Sequence, residues 1–181
     1  MPPTAVLLFE DETILRLFPV LRRAWSERGK PATIPISGRN AKRVLFGVIN
    51  PATGHRLLMR APNMRQQFFH AFLRLLRQSY PGKPIWLILD AAPCHTAGKS
   101  QTLAEQLDIH FIWLPKQCSE LNAMDQLWRG LKASISANYE YVDIDQHTDF
   151  AEQWVQSLTQ TEALLKAGIL SKNFWLKSFF K

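Results

Sequence analysis

The sequence predicts an α/β fold with a mixed five-stranded sheet flanked by helices. Three strand-like runs come first, and two of them surround a Pro/Gly turn typical of a hairpin. Apolar runs then alternate with stretches of helical periodicity, as in β-α-β units. The hairpin requires antiparallel pairing and the later units require parallel pairing, so the sheet must be mixed.

The early strands are short and apolar. Ala5–Asp11 is an apolar run that ends in acidic residues, and it is predicted as a buried strand. Arg43–Ile49 and His55–Arg60, joined by the turn Asn50–Gly54, form the predicted hairpin. Between the first strand and the hairpin lies an irregular basic segment, in which a short strand could form at Ala32–Ile36.

The later elements follow from periodicity and capping signals. Asn122 is a good N-cap residue, so a helix is expected to start there and to run to about Ser136. The other predictions are helices over Met64–Ser79, Ala97–Leu107 and Gln146–Lys166, a strand that leads to Asp90 and a strand over Ile109–Leu114.

A chain of 181 residues that is 46% hydrophobic is large enough for one compact domain with a full core. We expect a single domain over residues 1–181, with a core at about 5–138 and a helical extension at about 139–181. The tail Asn173–Lys181 is rich in aromatic residues. It is expected to dock on its own domain, with a dimer contact as the alternative.

The charge balance favours a polyanionic partner. Lys and Arg number 22 against 15 Asp and Glu, a net charge of +7, which fits nucleic acid better than a membrane and also fits a generic basic domain. No apolar stretch reaches the length of a membrane span, and Met1–Thr4 has no basic residue of the kind that begins a signal peptide. Two cysteines, Cys94 and Cys118, suit a reducing compartment. We therefore expect a cytoplasmic protein.

Three aspartates are candidate metal ligands. Asp11 and Asp90 each follow an apolar run, and Asp125 lies at the third position of the helix capped by Asn122. Mg²⁺ prefers oxygen ligands, and two ions about 3.5–4 Å apart can activate an attacking oxygen and stabilise a leaving one. Asp90 would bridge both ions, and Asp11 and Asp125 would complete one each. For any one aspartate alone, a turn former or a residue of a capped first turn is the favoured interpretation, and the fold order and basic charge reverse this for the three together.

Several motifs, in order along the chain, carry a resemblance to a known family. The chain resembles the catalytic domain of mariner-like transposases, especially their bacterial insertion-sequence relatives. Between Asp90 and Asp125 lie 34 residues, the spacing of the all-aspartate mariner triad. The matching segments are Phe9–Glu12, Trp25–Lys30, Gly47–Gly54, Leu87–His95 and Leu114–Lys132.

The resemblance implies a ribonuclease-H-like fold and the activity of a DNA transposase, which cleaves transposon ends and transfers them to target DNA, typically at TA. It implies dependence on Mg²⁺, for which Mn²⁺ can substitute. It assigns Asp11, Asp90 and Asp125 as the catalytic, metal-binding triad. It also implies a homodimer assembled on DNA. Family members carry helix-turn-helix modules ahead of the first catalytic strand, and this chain begins almost at that strand. End recognition is therefore expected on another segment or a separate polypeptide.

Neighbouring residues leave alternatives open. His95 matches a histidine that follows the second aspartate, and it could contact phosphate or bond to backbone at a helix entry. Arg129 could pair with Asp125 or reach a phosphate, and pairing is favoured. Cys94, His95 and Cys118 lack Cys-x-x-Cys spacing, so zinc is not expected. Ala91 replaces the usual asparagine, and a catalytically silent accessory subunit or a stand-alone nuclease are the alternative functions.

Overall fold

The computed structural model describes residues 4–23, 25–31 and 33–180. Its centre is a five-stranded sheet in the order β3-β2-β1-β4-β5. Strands β1, β2 and β3 pair antiparallel, and β4 pairs parallel with both β1 and β5. The strands are β1 (Val6–Arg16), β2 (Lys42–Ile49), β3 (Arg56–Ala61), β4 (Ile85–Leu89) and β5 (Ile109–Trp113). The predicted mixed sheet and hairpin are confirmed.

Six α-helices are assigned in the described part of the chain. The α4 helix continues into one π-helical turn over Lys132–Ser136, and short 3₁₀ segments lie at Ser119–Leu121 and Lys177–Phe180. The α-helices are α1 (Gln66–Ser79), α2 (Pro93–Thr96), α3 (Gly98–Gln106), α4 (Ala123–Leu131), α5 (Ile144–Ser157) and α6 (Gln160–Lys166).

Alternation along β1 divides the hydrophobic core between the two faces of the sheet. Val6 and Leu8 point to one face, where they pack in a cluster with the apolar stripe of α1. Leu7 and Phe9 point to the other face, where they pack with residues of α4, α5 and α6. The sheet is therefore covered on both sides, and α4 lies directly against the central strand β1.

Two predicted elements are wrong in their extent. Strand β1 does not end at Asp11 but continues to Arg16, because β2 goes on pairing with it as far as Arg16 and Lys42. The acidic residues therefore lie inside the strand. The predicted helix Gln146–Lys166 is two helices, since Thr159 leaves the helical path and caps α6 with a reciprocal bond to Glu162.

Other boundaries differ in smaller ways. Residues 33–36 form no strand, and Ala32 lies outside the described residues.

The first part of the aromatic tail packs on its own chain. The Trp175 Nε1–H donates to the Leu121 carbonyl at 2.9 Å, and the ring centroids of Phe174 and Phe9 lie 6.0 Å apart. Lys181 lies outside the described residues. Within the part of the chain that the structure describes, no helix is long and apolar enough to cross a membrane.

Candidate functional site

One cleft brings the three predicted aspartates together. Asp11 comes from β1, Asp90 directly follows β4, and Asp125 lies in the first turn of α4. Phe9 pairs with Ile88 in the parallel β1–β4 ladder. Asp11 and Asp90 each lie two residues further along, so the same register places them at the same level. The cleft has a volume of about 300 Å³, and its other lining residues are Ala91, Ala92, Leu114, Pro115, Lys116, Gln117, Cys118, Ser119 and Asn122.

Asp11 is the most electrostatically perturbed of the three aspartates. Burial and the neighbouring charges of Glu12, Asp125 and Asp90 raise the pKa of Asp11 to about 8. A carboxyl group in this position is costly to ionise unless a positive charge stands beside it. The cleft thus carries an excess of negative charge, which a divalent cation would neutralise.

Asp90 is held by the turn that follows it. His95 Nδ1 lies 3.0 Å from both the carboxylate Oδ1 and the backbone carbonyl of Asp90, and the Ala92 N–H donates to the same Oδ1 at 2.9 Å. The hydrogen bond from His95 lowers the pKa of Asp90 and keeps it ionised. His95 is 1% exposed, so of the two predicted alternatives the structure supports the backbone hydrogen bond and not a phosphate contact.

Asp125 owes its position to the cap of α4. Asn122 Oδ1 accepts the Met124 N–H at 3.0 Å, which places Asp125 third in the helix as predicted. Its side chain therefore lies beside the positive end of the helix dipole. Arg129 Nη2 lies 2.7 Å from Asp125 Oδ2, so the predicted pairing is confirmed.

Helix α4 is also fixed to the strand that carries Asp11. The Asn122 Nδ2–H donates to the Glu10 carbonyl at 2.8 Å, and the Trp128 Nε1–H lies 3.4 Å from the Asp11 carbonyl. Gly47, which pairs with Asp11 across the β1–β2 ladder, leaves room for this approach. A Cβ atom on Gly47 would lie 2.5 Å from both Met124 Cε and Trp128 Cζ2.

Sequence reasoning missed a lysine beside the cleft. Lys132 is half-buried, and burial lowers its pKa although the charges of Asp11 and Asp125 act to raise it. It stands seven residues after Asp125, two helical turns further along the same side of the helix. That spacing was the available signal, and it places Lys132 on the same side of the helical segment as Asp125.

A second polar cluster lies behind Asp90, inside the protein. His95 Nε2 is 3.0 Å from Glu12 Oε1 and 3.6 Å from Glu10 Oε2, and Cys94 Sγ is 3.8 Å from Glu12 Oε1. Glu10 is fully buried, and burial raises its pKa well above the usual range. Burial by itself would lower the pKa of His95, but the Glu10 charge and its hydrogen-bonded neighbours raise it far above normal. The signal in the sequence was the Glu-x-Glu spacing on β1, which places both side chains on one face.

The donor set of the cleft fits hard divalent cations. Carboxylate oxygens are the ligands that Mg²⁺ prefers, and Asp11, Asp90 and Asp125 all line the cleft. Among the described residues, the three aspartates do not each bring an oxygen within 4.8 Å of the other two. Two ions about 3.5–4 Å apart would span such a separation better than one.

Comparison with known proteins identifies the family. A family model described as DDE superfamily endonuclease matches residues 6–147, which include the strands, the cleft and all three aspartates. The chain belongs to this family. A relative from Shigella sonnei, the insertion element IS630 uncharacterized 39 kDa protein, is 26% identical over 136 residues, which make up 74% of this chain and 40% of that protein. The resemblance to mariner-like transposases of the bacterial insertion-sequence branch is confirmed.

Solved structures show the same fold. The Mos1 transposase paired-end complex with left transposon end superposes with a TM-score of 0.72 at 16% identity, over 95% of this chain and 54% of that one. The mariner Mos1 paired-end complex with Mg gives a TM-score of 0.72 at 15% identity, over 97% and 56%. The ribonuclease-H-like fold is thereby confirmed. This chain spans less than half the length of its IS630 relative and about half the length of Mos1 transposase.

Proposed function

We propose that this chain is the catalytic domain of a DNA transposase, which cleaves strands at transposon ends and joins the freed 3′-hydroxyl to target DNA. The observation that carries the proposal is the convergence of Asp11, Asp90 and Asp125 on one cleft. Membership of the DDE superfamily endonuclease family supports it. Mos1, whose fold this chain shares, was solved on transposon-end DNA and with Mg and Mn.

In this proposal Asp11, Asp90 and Asp125 would hold Mg²⁺ or Mn²⁺. When bound, the ions activate the attacking oxygen and stabilise the leaving oxygen of the phosphodiester. The protein prepares these ligands in different ways, and Asp11, whose pKa is raised to about 8, would lose its proton when a cation binds. The hydrogen bond from His95 keeps Asp90 deprotonated, and Arg129 forms an ion pair with Asp125 on α4.

The DNA partner is proposed from charge and from the relatives. A net charge of +7 favours contacts to phosphates. Each phosphate that Lys or Arg neutralises makes the affinity for DNA fall more steeply as the salt concentration rises. Because the chain spans 40% of its IS630 relative, recognition of the end sequence is proposed to lie on a helix-turn-helix segment outside it. Target choice at TA and assembly as a homodimer on DNA belong to the same proposal.

Cleavage of end DNA tests the proposal. The chain is mixed with transposon-end DNA and Mg²⁺ or Mn²⁺, with the end-binding segment supplied, and the wild type is compared with Asp90→Ala. The matched control is Glu105→Gln, which alters an exposed carboxylate on α3 outside the cleft. We expect the wild type and the control to cut and Asp90→Ala to lose cleavage while it still binds DNA.

The same assay separates the alternative function. Ala91 lines the cleft at the position where the family resemblance expects asparagine, which favours an accessory, catalytically silent subunit as the second candidate. DNA binding without cleavage by the wild type would support that candidate. Cleavage that survives Asp90→Ala unchanged would show that these carboxylates do not carry the chemistry.

A further inference from the structure

We propose that Glu12, Cys94 and His95, with Glu10 as the fourth ligand, form a buried site for one zinc-type transition-metal ion behind the catalytic cleft. The site is separate from the carboxylates proposed for Mg²⁺, and it faces the interior. Among the described residues, these three side chains are the group whose ligand atoms all lie within 4.8 Å of one another. The inference goes beyond the proposed transposase activity and does not depend on it.

The hydrogen bonds of His95 determine which of its nitrogens could exchange a proton for a metal ion. The backbone carbonyl of Asp90 can only accept, so the Nδ1 that lies 3.0 Å from it carries a proton. Nε2 therefore points its remaining valence toward Glu10, Glu12 and Cys94. A histidine whose Nδ1–H donates to a carboxylate and a carbonyl while Nε2 faces other ligands has the usual arrangement of a metal-bound imidazole.

Three of the distances between ligand atoms are close to those around a tetrahedral ion. Zn–N and Zn–O bonds of about 2.0–2.2 Å and a Zn–S bond of about 2.3 Å set neighbouring ligand atoms about 3.3–3.6 Å apart. The observed separations are 3.0 Å from His95 Nε2 to Glu12 Oε1, 3.6 Å from the same nitrogen to Glu10 Oε2, and 3.8 Å from Cys94 Sγ to Glu12 Oε1. Glu10 does not lie within 4.8 Å of all three other ligand atoms, so its carboxylate would move inward to become the fourth ligand.

Glu10 supplies an independent reason for a cation. It is 0% exposed, and neither of its carboxylate oxygens has a hydrogen-bond partner among the described residues. A single proton on His95 Nε2 can serve Glu12 or Glu10 but not both, whereas a metal ion binds both carboxylates, the imidazole and the thiolate together. Buried carboxylates are rarely left without a partner, because the desolvation cost is large.

The chemistry of the ligands selects the metal. A thiolate and an imidazole suit Zn²⁺ or Co²⁺, while Mg²⁺ prefers a set of oxygens. Cys118, which lines the catalytic cleft, is not part of the cluster, so it is a matched control for Cys94. Zinc was not expected from Cys94, His95 and Cys118, but the cluster in the structure contains Glu12 in place of Cys118.

Metal content and cobalt spectroscopy test the site on the chain without a purification tag. We expect one zinc per chain to survive dialysis, and Co²⁺ to give a thiolate-to-cobalt charge-transfer band that excess Mg²⁺ does not abolish. Cys94→Ser should remove the band and weaken zinc binding by more than the about 10–100-fold typical of losing an outer partner of a ligand. Cys118→Ser should leave both unchanged.

Several results would overturn the site. Absence of retained zinc together with absence of the cobalt band in the wild type would mean that protonated His95 alone faces the carboxylates. A band that is lost in Cys118→Ser, or one that persists in Cys94→Ser, would place the metal elsewhere. If Cys94→Ser fails to fold, Glu12→Gln keeps the thiol and should still weaken zinc binding, and unchanged binding in that variant would also refute the proposal.

Discussion

The side-chain amide of Asn122 joins the two elements that carry Asp11 and Asp125. Its Nδ2–H donates to the Glu10 carbonyl on β1, while its Oδ1 accepts the Met124 N–H at the start of α4. Asn122 is 3% exposed, so water does not replace either bond when one is lost. One residue thus sets both the start of the helix and its distance from the strand.

Replacing Asn122 separates these two roles. We expect Asn122→Ala to lower the free energy of unfolding by about 2 kcal/mol, since it removes a helix cap and leaves a buried carbonyl without a donor. Asn122→Ser keeps a cap but cannot reach Glu10, so it should recover only part of the loss. Urea unfolding followed by circular dichroism measures both. Equal stability of Ala and Ser variants would show that the cap contributes nothing.

Gly47 controls how closely α4 approaches the sheet. Because a Cβ atom there would lie 2.5 Å from Met124 and Trp128 side chains, we expect Gly47→Ala to cost about 1–3 kcal/mol of stability through overpacking. The comparison is Gly98→Ala, where a Cβ atom meets nothing within 4 Å. Thermal unfolding of both variants decides the matter: Gly98→Ala should match the wild type, and a neutral Gly47→Ala would contradict the packing.

The sequence predicted the framework of the fold and the members of the candidate cleft, because both depend on local patterns. Alternating apolar runs and the cap at Asn122 are properties of neighbouring residues, and the parallel pairing of β4 with β5 follows from β-α-β connectivity. The extent of β1 was not predictable in this way. Its continuation to Arg16 depends on pairing with β2, which lies far along the chain.

Long-range contacts also explain the parts of the site that the sequence did not reveal. Glu10 and Glu12 looked like strand-ending acids, and only the fold brings His95 of α2 against them. The break between α5 and α6 did have a local signal, since Thr159 and Glu162 have capping-box spacing. The apolar periodicity that runs through Gln146–Lys166 outweighed it in the prediction.

That helix break is held by Arg56 of β3. Its guanidinium donates to the Leu158 carbonyl at 2.6 Å and to the Gly54 carbonyl at 2.8 Å, joining the hairpin turn to the α5–α6 junction. We expect Arg56→Met to destabilise the chain by about 1.5–3 kcal/mol, as for charged hydrogen bonds. Arg74→Met is the control, because Arg74 reaches only a carbonyl of its own helix. Chemical unfolding measures both, and equal losses would refute the role of Arg56.

The raised pKa of Asp11 predicts how stability depends on pH and on metal. Its pKa is about 8 in the folded chain against a normal value of 3.8, so the folded state binds more protons between these values. Stability should therefore fall as pH rises from about 4 to about 8, and Asp11→Asn should flatten this fall. Mg²⁺ should raise the melting temperature more at pH 8 than at pH 5 in the wild type, and much less in Asp11→Asn. Melting curves in chelator and in Mg²⁺ test this, and a wild-type Mg²⁺ effect that is independent of pH would place the ion away from Asp11.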